Sequence, residues 1–452
     1  MVKNILKVTM LIIFSIILIS PAIAQEWEFI GLEGEKIQSI VVDPDNDDII
    51  YVGSANYYND IFGIGGIFKT IDGGANWDTL LTGWIDVLKL VMHPMDANIL
   101  YAALGGSDFS QPGIVKTTNS GSTWFRAESG IYVDLETFVY DIGIDPLNPD
   151  TLYAGTGGFY GGWLYKSYDS GASWHRILYE ILDTNMHSIA IDPFNTQTVY
   201  LGTSGLGRLF KTTNGGNNWN MTTIPVCGGV ISLAIDDDNP LVIYAGGFHN
   251  PEFSDSGSVY RSADSCLTWT PSVIEGTIPN QIVIHPEINN MIYVSCMQGV
   301  LYSNDAATTW TLMNEGLENI HVRALAINFL GDQLYCGTTA GAYRRSNEIS
   351  IEDIVTEGIG FFLLRQNYPN PFYYQTMIPY SLTKGGRVTL SIVNATGQKV
   401  KTLVNSLYHG SGDHAILWDG TDHAGQAVAA GTYFYRLQAK SEVQTRRLIL
   451  LK

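Results

Sequence analysis

Apolar and polar residues change places every few positions along most of this chain, and no long stretch keeps apolar residues at helical spacing. That pattern predicts short strands joined by tight turns. One unit recurs seven times, an apolar run, a polar turn and a second apolar run: IVVDPDNDDIIYVGS, LVMHPMDANILYAAL, IGIDPLNPDTLYAGT, IAIDPFNTQTVYLGT, LAIDDDNPLVIYAGG, IVIHPEINNMIYVSC and LAINFLGDQLYCGT. A second pattern, Ser/Thr-x-Asp/Asn-x-Gly-x-x-Trp, follows the first six. It reads TIDGGANW at 70–77, TTNSGSTW at 117–124, SYDSGASW at 167–174 and TTNGGNNW at 212–219. Two degraded copies, SADSCLTW at 262–269 and SNDAATTW at 303–310, put Cys266 and Ala307 in place of the Gly. The box tryptophans fall 41–50 residues apart. A strand before each box and one after it bring the count to four per unit, and four antiparallel strands in about 40–50 residues make one propeller blade.

Seven double strands are matched by only six boxes. The missing piece is expected at the other end of the unit array, where Trp27-Glu28-Phe29-Ile30 resembles Trp310-Thr311-Leu312-Met313. The N-terminal strand would then complete blade seven and close the ring, removing exposed sheet edges. The reading is an all-β chain with a seven-bladed β-propeller over residues 25–347. The box residues are read as structural: Asp72, Asn119, Asp169, Asn214, Asp264 and Asp305 accept backbone N–H bonds within a turn. Trp77, Trp124, Trp174, Trp219, Trp269 and Trp310 fill space between blades.

These boxes resemble those of the Asp-box propellers, which include sialidases, sortilin-type receptors, two-propeller xyloglucan hydrolases and a photosystem II assembly factor. The resemblance covers about residues 26–347. It implies the fold strongly and the function weakly, because both enzymes and binders share it.

Composition shifts after Ser350. An acidic linker at 348–360 leads into NYPNPF at 367–372, several short alternating strands, a Gly397-Gln398 turn, WDG at 418–420 and AGTYFYRL at 430–437. The pattern suggests a small Ig-like β-sandwich over 361–452. Together with the basic-apolar end RRLILLK, it resembles the type A sorting domain of type IX secretion substrates, related to the flagellar hook-cap Ig-like fold. The resemblance implies the type IX secretion machinery as a partner, and a secreted or outer-membrane surface location. At the other terminus, Lys3 and Lys7, an apolar run to Ile19 and Ala22-Ile23-Ala24 have the form of a secretory signal peptide at 1–24. The apolar run is too short to span a bilayer, so no transmembrane anchor is expected after its removal.

The net charge of −19 repels phosphate backbones and argues against nucleic acid as a partner. Four cysteines without a C-x-x-C pair argue against zinc, and no metal or cofactor is expected. Cys227 and Cys266 should lie at opposite ends of a blade and stay unpaired; Cys296 and Cys336 are the better candidates for a disulfide.

Binding loops are expected on the face opposite the boxes. Blades one, two, three and five carry long loops there, holding Tyr57, Tyr58, Phe62, Phe109, Phe159, Tyr160, Trp163, Phe248, His249 and Phe253. Connections between blades add Trp84, Tyr132, Phe138 and Tyr179. Aromatic rings among small polar residues suit a glycan or an extended peptide. The alternatives are a glycoside hydrolase using loop carboxylates among Asp60, Asp108, Glu136, Glu252 and Asp255, and a structural surface protein. A sialidase would need an arginine cluster, and most propeller arginines are taken: Arg261 and Arg345 fill the slot before the box that lysines fill elsewhere. In the channel, Lys89 and Asp141 from neighbouring blades are placed to form a structural ion pair.

Overall fold

The computed structural model describes residues 26–55, 65–83, 85–105, 112–133, 137–158, 161–178, 184–225, 227–249, 257–347, 361–440 and 442–451. The proposed signal peptide and linker lie outside them. All regular elements among the described residues are strands. Blade one runs from Ile37 to Gly83, with its four antiparallel strands side by side in chain order. Blades two to six follow the same plan over 86–126, 138–178, 186–223, 227–274 and 279–312. Blade seven takes three strands from Val322–Ser346 and its outer strand from Glu28–Gly31, where Phe29 lies opposite Tyr343. The innermost strands touch in a complete ring, that of blade seven lying beside that of blade one. The molecule is a seven-bladed β-propeller followed by a small Ig-like β-sandwich.

One side-chain arrangement joins blade to blade. The second strand of every blade carries a buried tyrosine: Tyr51, Tyr101, Tyr153, Tyr200, Tyr244, Tyr293 and Tyr335. In blades one to four a lysine on the third strand lies directly opposite, its ammonium 4.9–5.2 Å from the ring centre. Lys69, Lys116, Lys166 and Lys211 donate to the backbone oxygens of Ser120, Ser170, Gly215 and Ser265, all in the box turn of the next blade. The Tyr101 hydroxyl donates to the same Ser170 oxygen at 2.9 Å. The ring ammonium contact and the charged donor thus act on one carbonyl that would otherwise face a gap between sheets. At the seam, Tyr335 and Arg344 reach Asp47 and Gly73 of blade one. The register corrects the sequence reading here: Arg344, not Arg345, lies opposite Tyr335, and Arg345 pairs with Glu315 at 3.5 Å instead. Arg345 belongs one step further along the strand because blade seven has no box to fix the count.

The tryptophans tie the blades in the reverse direction. The indole N–H of Trp77 reaches Ile30 of blade seven, that of Trp174 reaches Ala127 of blade two, and that of Trp27 reaches Met313 of blade six. Within each box the Ser/Thr hydroxyl accepts the N–H four residues on, at 2.8–3.0 Å. The Asp/Asn oxygen accepts the N–H of its own fourth neighbour at 2.8–2.9 Å. The turn needs a left-handed residue; Gly74 supplies it at φ 99°, and Cys266 and Ala307 adopt it at 71° and 66°. Bonds from Ser173 hold the Asp169 carboxyl down at about 2, and bonds from Thr268 do the same for Asp264.

All four cysteines are free and buried. The expected Cys296–Cys336 pairing is therefore wrong. Cys296 packs in the layer between blades five and six, Cys336 in the layer between six and seven, with the blade-six sheet between them. Counted from the repeated tyrosine, Cys336 matches Val294 and Cys296 matches Thr338, so the two are also out of step.

The sandwich stacks a three-stranded sheet (Phe362–Leu364, Thr376–Leu382, Gly412–Trp418) on a four-stranded one (Gly386–Asn394, Lys399–His409, Gly431–Ala439, Glu442–Leu450). Trp418, Tyr435 and Phe362 fill its core. It sits against the turns between first and second strands, on the box side of the ring. Arg446 bridges Asp238 of blade five and the buried Glu287 of blade six, both at 3.0 Å. Glu287 also accepts the Gln366 N–H at 2.8 Å. Tyr368 packs on Phe329 of blade seven and Arg447 lies over Phe194 of blade four. A small cavity at blades one and two is walled by Pro44, His93, Pro94 and the Tyr368–Gln375 segment. Contacts spread around the ring place the sandwich across the end of the channel.

Two expectations follow. Starting the chain at residue 37 removes Trp27 and the outer strand of blade seven, and the ring should melt cooperatively at lower temperature; Trp27→Ala alone should cost about 3–5 kcal/mol. An unchanged thermal melt would show the strand to be dispensable. Replacing Arg446 by Ala leaves Glu287 buried without its counter-charge, a change worth about 3–5 kcal/mol. Calorimetry should then show the sandwich and propeller melting apart, with Arg446→Ala/Glu287→Gln partly restoring the coupling.

Candidate functional site

The innermost strands share an irregularity that shapes the channel. Each pairs with its neighbour out of step at one level, between Ile37 and Ser39, Val87 and Lys89, Val139 and Asp141, Met186 and Ser188, Val230 and Ser232, Pro279 and Gln281, and Val322 and Ala324. The residue skipped is a β-bulge, which turns its side chain out of the ladder. The seven bulged residues, Gln38, Leu88, Tyr140, His187, Ile231, Asn280 and Arg323, all line one cavity of about 650 Å³ at the channel mouth.

Each bulge leaves an inner-strand N–H without a ladder partner, and the preceding blade captures several of them. Ser39 accepts from Leu90, Asp141 from Ile189, Ser232 from Ile282 and Gln281 from Leu325, at 2.8–3.1 Å. This explains polar residues in the middle of an otherwise apolar strand. Lys89 stands 3.7 Å from Asp141. Burial pushes the Asp141 carboxyl up, and Lys89 and the N–H donors oppose it. His187 stacks on Tyr140 at 4.1 Å, and Tyr140 on Phe138 at 5.7 Å. Burial lowers the His187 imidazole from 6.5 to about 4, so it is neutral at physiological pH. The Lys36 ammonium, on the same wall, is buried without a hydrogen-bond partner.

The mouth opens where the innermost strands begin, on the side of the blade connections and long loops. The far end is lined by Val41, Val91, Met92 and Ile144 and leads toward the sandwich. The cavity wall mixes polar residues such as Gln38, Asn280 and Gln281 with apolar ones such as Leu88, Ile231 and Leu233.

Of the proposed binding aromatics, Tyr57, Tyr58, Phe62, Trp84, Phe109, Phe159, Tyr160 and Phe253 lie outside the described residues. Trp163 is braced between the Arg176 guanidinium, 5.0 Å from its ring, and the edge of Tyr132. Tyr132 is 60% exposed, so this blade-three cluster reaches solvent. Phe248 sits on blade five across Gly229. The structure thus joins Trp163 to Tyr132 and separates both from Phe248 by two blades. The sequence reading placed Lys89 and Asp141 in the channel but missed the bulged residues one position earlier; no residue-type signal marks a bulge. No group of three or more His, Cys, Asp or Glu is placed to hold a metal among the described residues, and no described helix is long and apolar enough to cross a membrane.

A seven-bladed propeller with a cavity at its channel mouth, joined to an Ig-like module, is the class defined by this geometry. A family model described as the FlgD Ig-like domain matches residues 380–442. Xyloglucanase Xgh74A of Acetivibrio thermocellus is 26% identical over 307 residues, covering 58% of this chain and 35% of that protein. The chain thus spans about a third of the length of the curated relatives it matches. Among solved structures, an ancestral GH74 enzyme superposes with TM-score 0.55 at 16% identity, over 94% of this chain and 64% of the other. PorZ of Porphyromonas gingivalis, described as an essential bacterial surface component of the type-IX secretion system, gives 0.50 at 15% identity, over 90% and 58%. YCF48 from Cyanidioschyzon merolae gives 0.51 at 11% identity, over 71% and 98%. At these identities the likeness of the structures is one of fold.

The lowered His187 value sets an acid dependence. The unfolded chain takes up this proton near pH 6.5 and the folded protein only near 4, so stability falls as pH drops through that window. His187→Phe keeps the stack on Tyr140 and should flatten the acid side of a melting-temperature profile between those values. Superimposable profiles for parent and variant would contradict the assignment.

Proposed function

We propose that this chain is an exported surface propeller that binds a glycan or an extended peptide on the face where the cavity opens, and that it does not hydrolyse its ligand. One observation carries the second half. Glycoside hydrolysis needs two carboxyl groups facing one another across the bond. Among the described residues lining the cavity the only carboxylate is Asp141, and it is engaged by Lys89 and two backbone N–H groups. The Trp163–Tyr132 cluster supplies an exposed aromatic surface beside the long loops, which suits stacking on a sugar ring or an apolar side chain.

Export is part of the proposal. The signal-like start, the FlgD-like match within 361–452 and the likeness in fold to a surface component of the type-IX system support a role for the sandwich as a sorting tag. Deleting residues 361–452 would then leave the propeller inside the outer membrane.

The second reading, a glycoside hydrolase, is favoured by the sequence likeness to Xgh74A. It would rest on Asp60, Asp108, Glu136, Glu252 or Asp255, all of which lie outside the described residues. Screening the purified chain against polysaccharides, with product analysis, separates the two: binding without released oligosaccharide fits the proposal, and release refutes it. Trp163→Ala should weaken a ligand found in this way at least fivefold, about 1 kcal/mol. An unchanged affinity with the fold intact would remove Trp163 from the site.

A further inference from the structure

We infer that the sandwich is a tag held shut by its own propeller: docked, it commits Arg446 and Arg447 to the acidic turns of the ring, and released, it offers them to an acidic surface of the export machinery. This rests on the export reading above and adds which state of the tag is read, and through which residues.

Charge divides the two bodies. Residues 361–452 carry ten Lys and Arg against four Asp and Glu, and residues 25–347 carry thirteen against thirty-six. The basic body rests on the turns between first and second strands, where the propeller places Asp192, Asp238 and Glu287. The Arg446 guanidinium meets Asp238 and Glu287, both at 3.0 Å. The Arg447 guanidinium lies over Phe194, in the field of Asp192 and Asp238. Opposite charges at the contact draw the bodies together and fix how they meet.

The contact is separable. Among the described residues, no strand of one body pairs with a strand of the other. The hydrogen bonds that cross use propeller carboxylates, Asp238 accepting from Arg446 and Glu287 from the Gln366 N–H. Two cavities, of about 250 and 290 Å³, lie within the contact. The first is lined by His285, Glu287 and Asp332 of the propeller and by Leu363, Arg365 and Ser381 of the sandwich. The sandwich keeps a core of its own around Trp418, Tyr435 and Phe362. Bodies with separate cores, joined by a gapped polar contact, move apart more readily than bodies sharing an apolar one.

The arginines are what docking takes out of reach. Arg446 stands on the last strand and spends its Nε–H on the Leu364 oxygen inside the sandwich. Its two terminal nitrogens are both consumed by the propeller. Arg447, the next residue, has its ring partner on the propeller as well. Release bares two guanidinium groups side by side, donors whose fork matches carboxylates. An acidic receptor therefore competes with the acidic turns for the same groups, and its apparent affinity falls with the docked fraction.

The test joins a structural readout to export of the full chain. Asp238→Lys changes a side chain that is 34% exposed and leaves the tag's sequence intact. Amide exchange at Gln366 reports docking, and exchange at Tyr435 reports the fold of the sandwich. Asp238→Lys should speed exchange at Gln366 about tenfold or more and leave Tyr435 unchanged. In a pulse–chase it should reach the cell surface at least as fast as the parent. Arg446→Ala/Arg447→Ala should speed Gln366 likewise and be retained inside the outer membrane. Arg447→Gln, which keeps the Leu364 bond, should also slow delivery and serves where the double change unfolds the sandwich. Unchanged exchange at Gln366 in Asp238→Lys would overturn the latch. An undocked Asp238→Lys that stays inside would show that the docked form is read, and overturn the release. Normal delivery of the arginine variants with Tyr435 still protected would overturn the arginines as the recognised groups. Normal delivery of a chain lacking 361–452 would remove the export reading itself, whatever Gln366 shows.

Discussion

Five of the seven joints between blades are held by a carbonyl that one blade presents to its neighbour. A four-stranded sheet has two faces, and in a ring both must be covered by adjacent sheets of the same kind. The box turn projects a backbone oxygen toward the previous blade, where a lysine lying on a tyrosine ring receives it. The box hydroxyl and carboxylate exist to fix that turn. At Trp77, Trp174 and Trp310 the box indole N–H reaches back to the outer edge of the previous blade. Without this reciprocal grip the sheets would meet only through apolar surface, which sets no angle and no register. The closing contacts made by Arg344 and Tyr335 use the same geometry with a different cation, so the seam is built like the other joints.

Much of this was legible in the sequence because it repeats. The box is a run of eight positions with fixed spacing, and a strand turn strand pattern survives seven copies despite drift. The degraded boxes at Cys266 and Ala307 were readable because the hydroxyl, carboxylate and indole stayed in place while only the left-handed residue changed. What failed to show was anything defined by pairing. The slip from Arg345 to Arg344 is a single position, and along a strand one position exchanges the two faces. The cysteine forecast failed for another reason: Cys296 and Cys336 stand two positions apart in register and so face the same way, each toward the preceding blade, with the blade-six sheet between them. The bulges were invisible because a bulge is a mismatch between two strands and leaves no mark in either alone.

The site follows from those mismatches. Seven bulges at one level turn seven side chains into a shared space, and in four blades the residue after the bulge, Ser39, Asp141, Ser232 or Gln281, accepts a backbone N–H of the next blade's inner strand. The scaffold can therefore vary the bulged residue freely: Leu88 and Ile231 stand where Arg323 and Asn280 stand elsewhere. Much of the chemistry in the cavity is decided by positions with no duty in the ladder, Gln38, His187, Asn280 and Arg323 among them. At the opposite end the sandwich rests on turns from several blades, through Arg446 and the buried Glu287.

The outer strand of blade seven is the first part of the propeller to be synthesised and the last to find its place. Until the Gly341–Ser346 strand exists, the Glu28–Gly31 strand has no partner, and an arc of six and a half blades carries two raw edges. Joining Trp27 to Met313 closes a loop of 286 residues, an entropic toll on the order of 5 kcal/mol. The same topology works in reverse once the ring is shut. No blade can peel away from an end, because neither terminus of the ring is free to fray; the seam must part first. The lifetime of the folded ring is thus a property of one strand, and the toll exacted at assembly becomes a lock against disassembly.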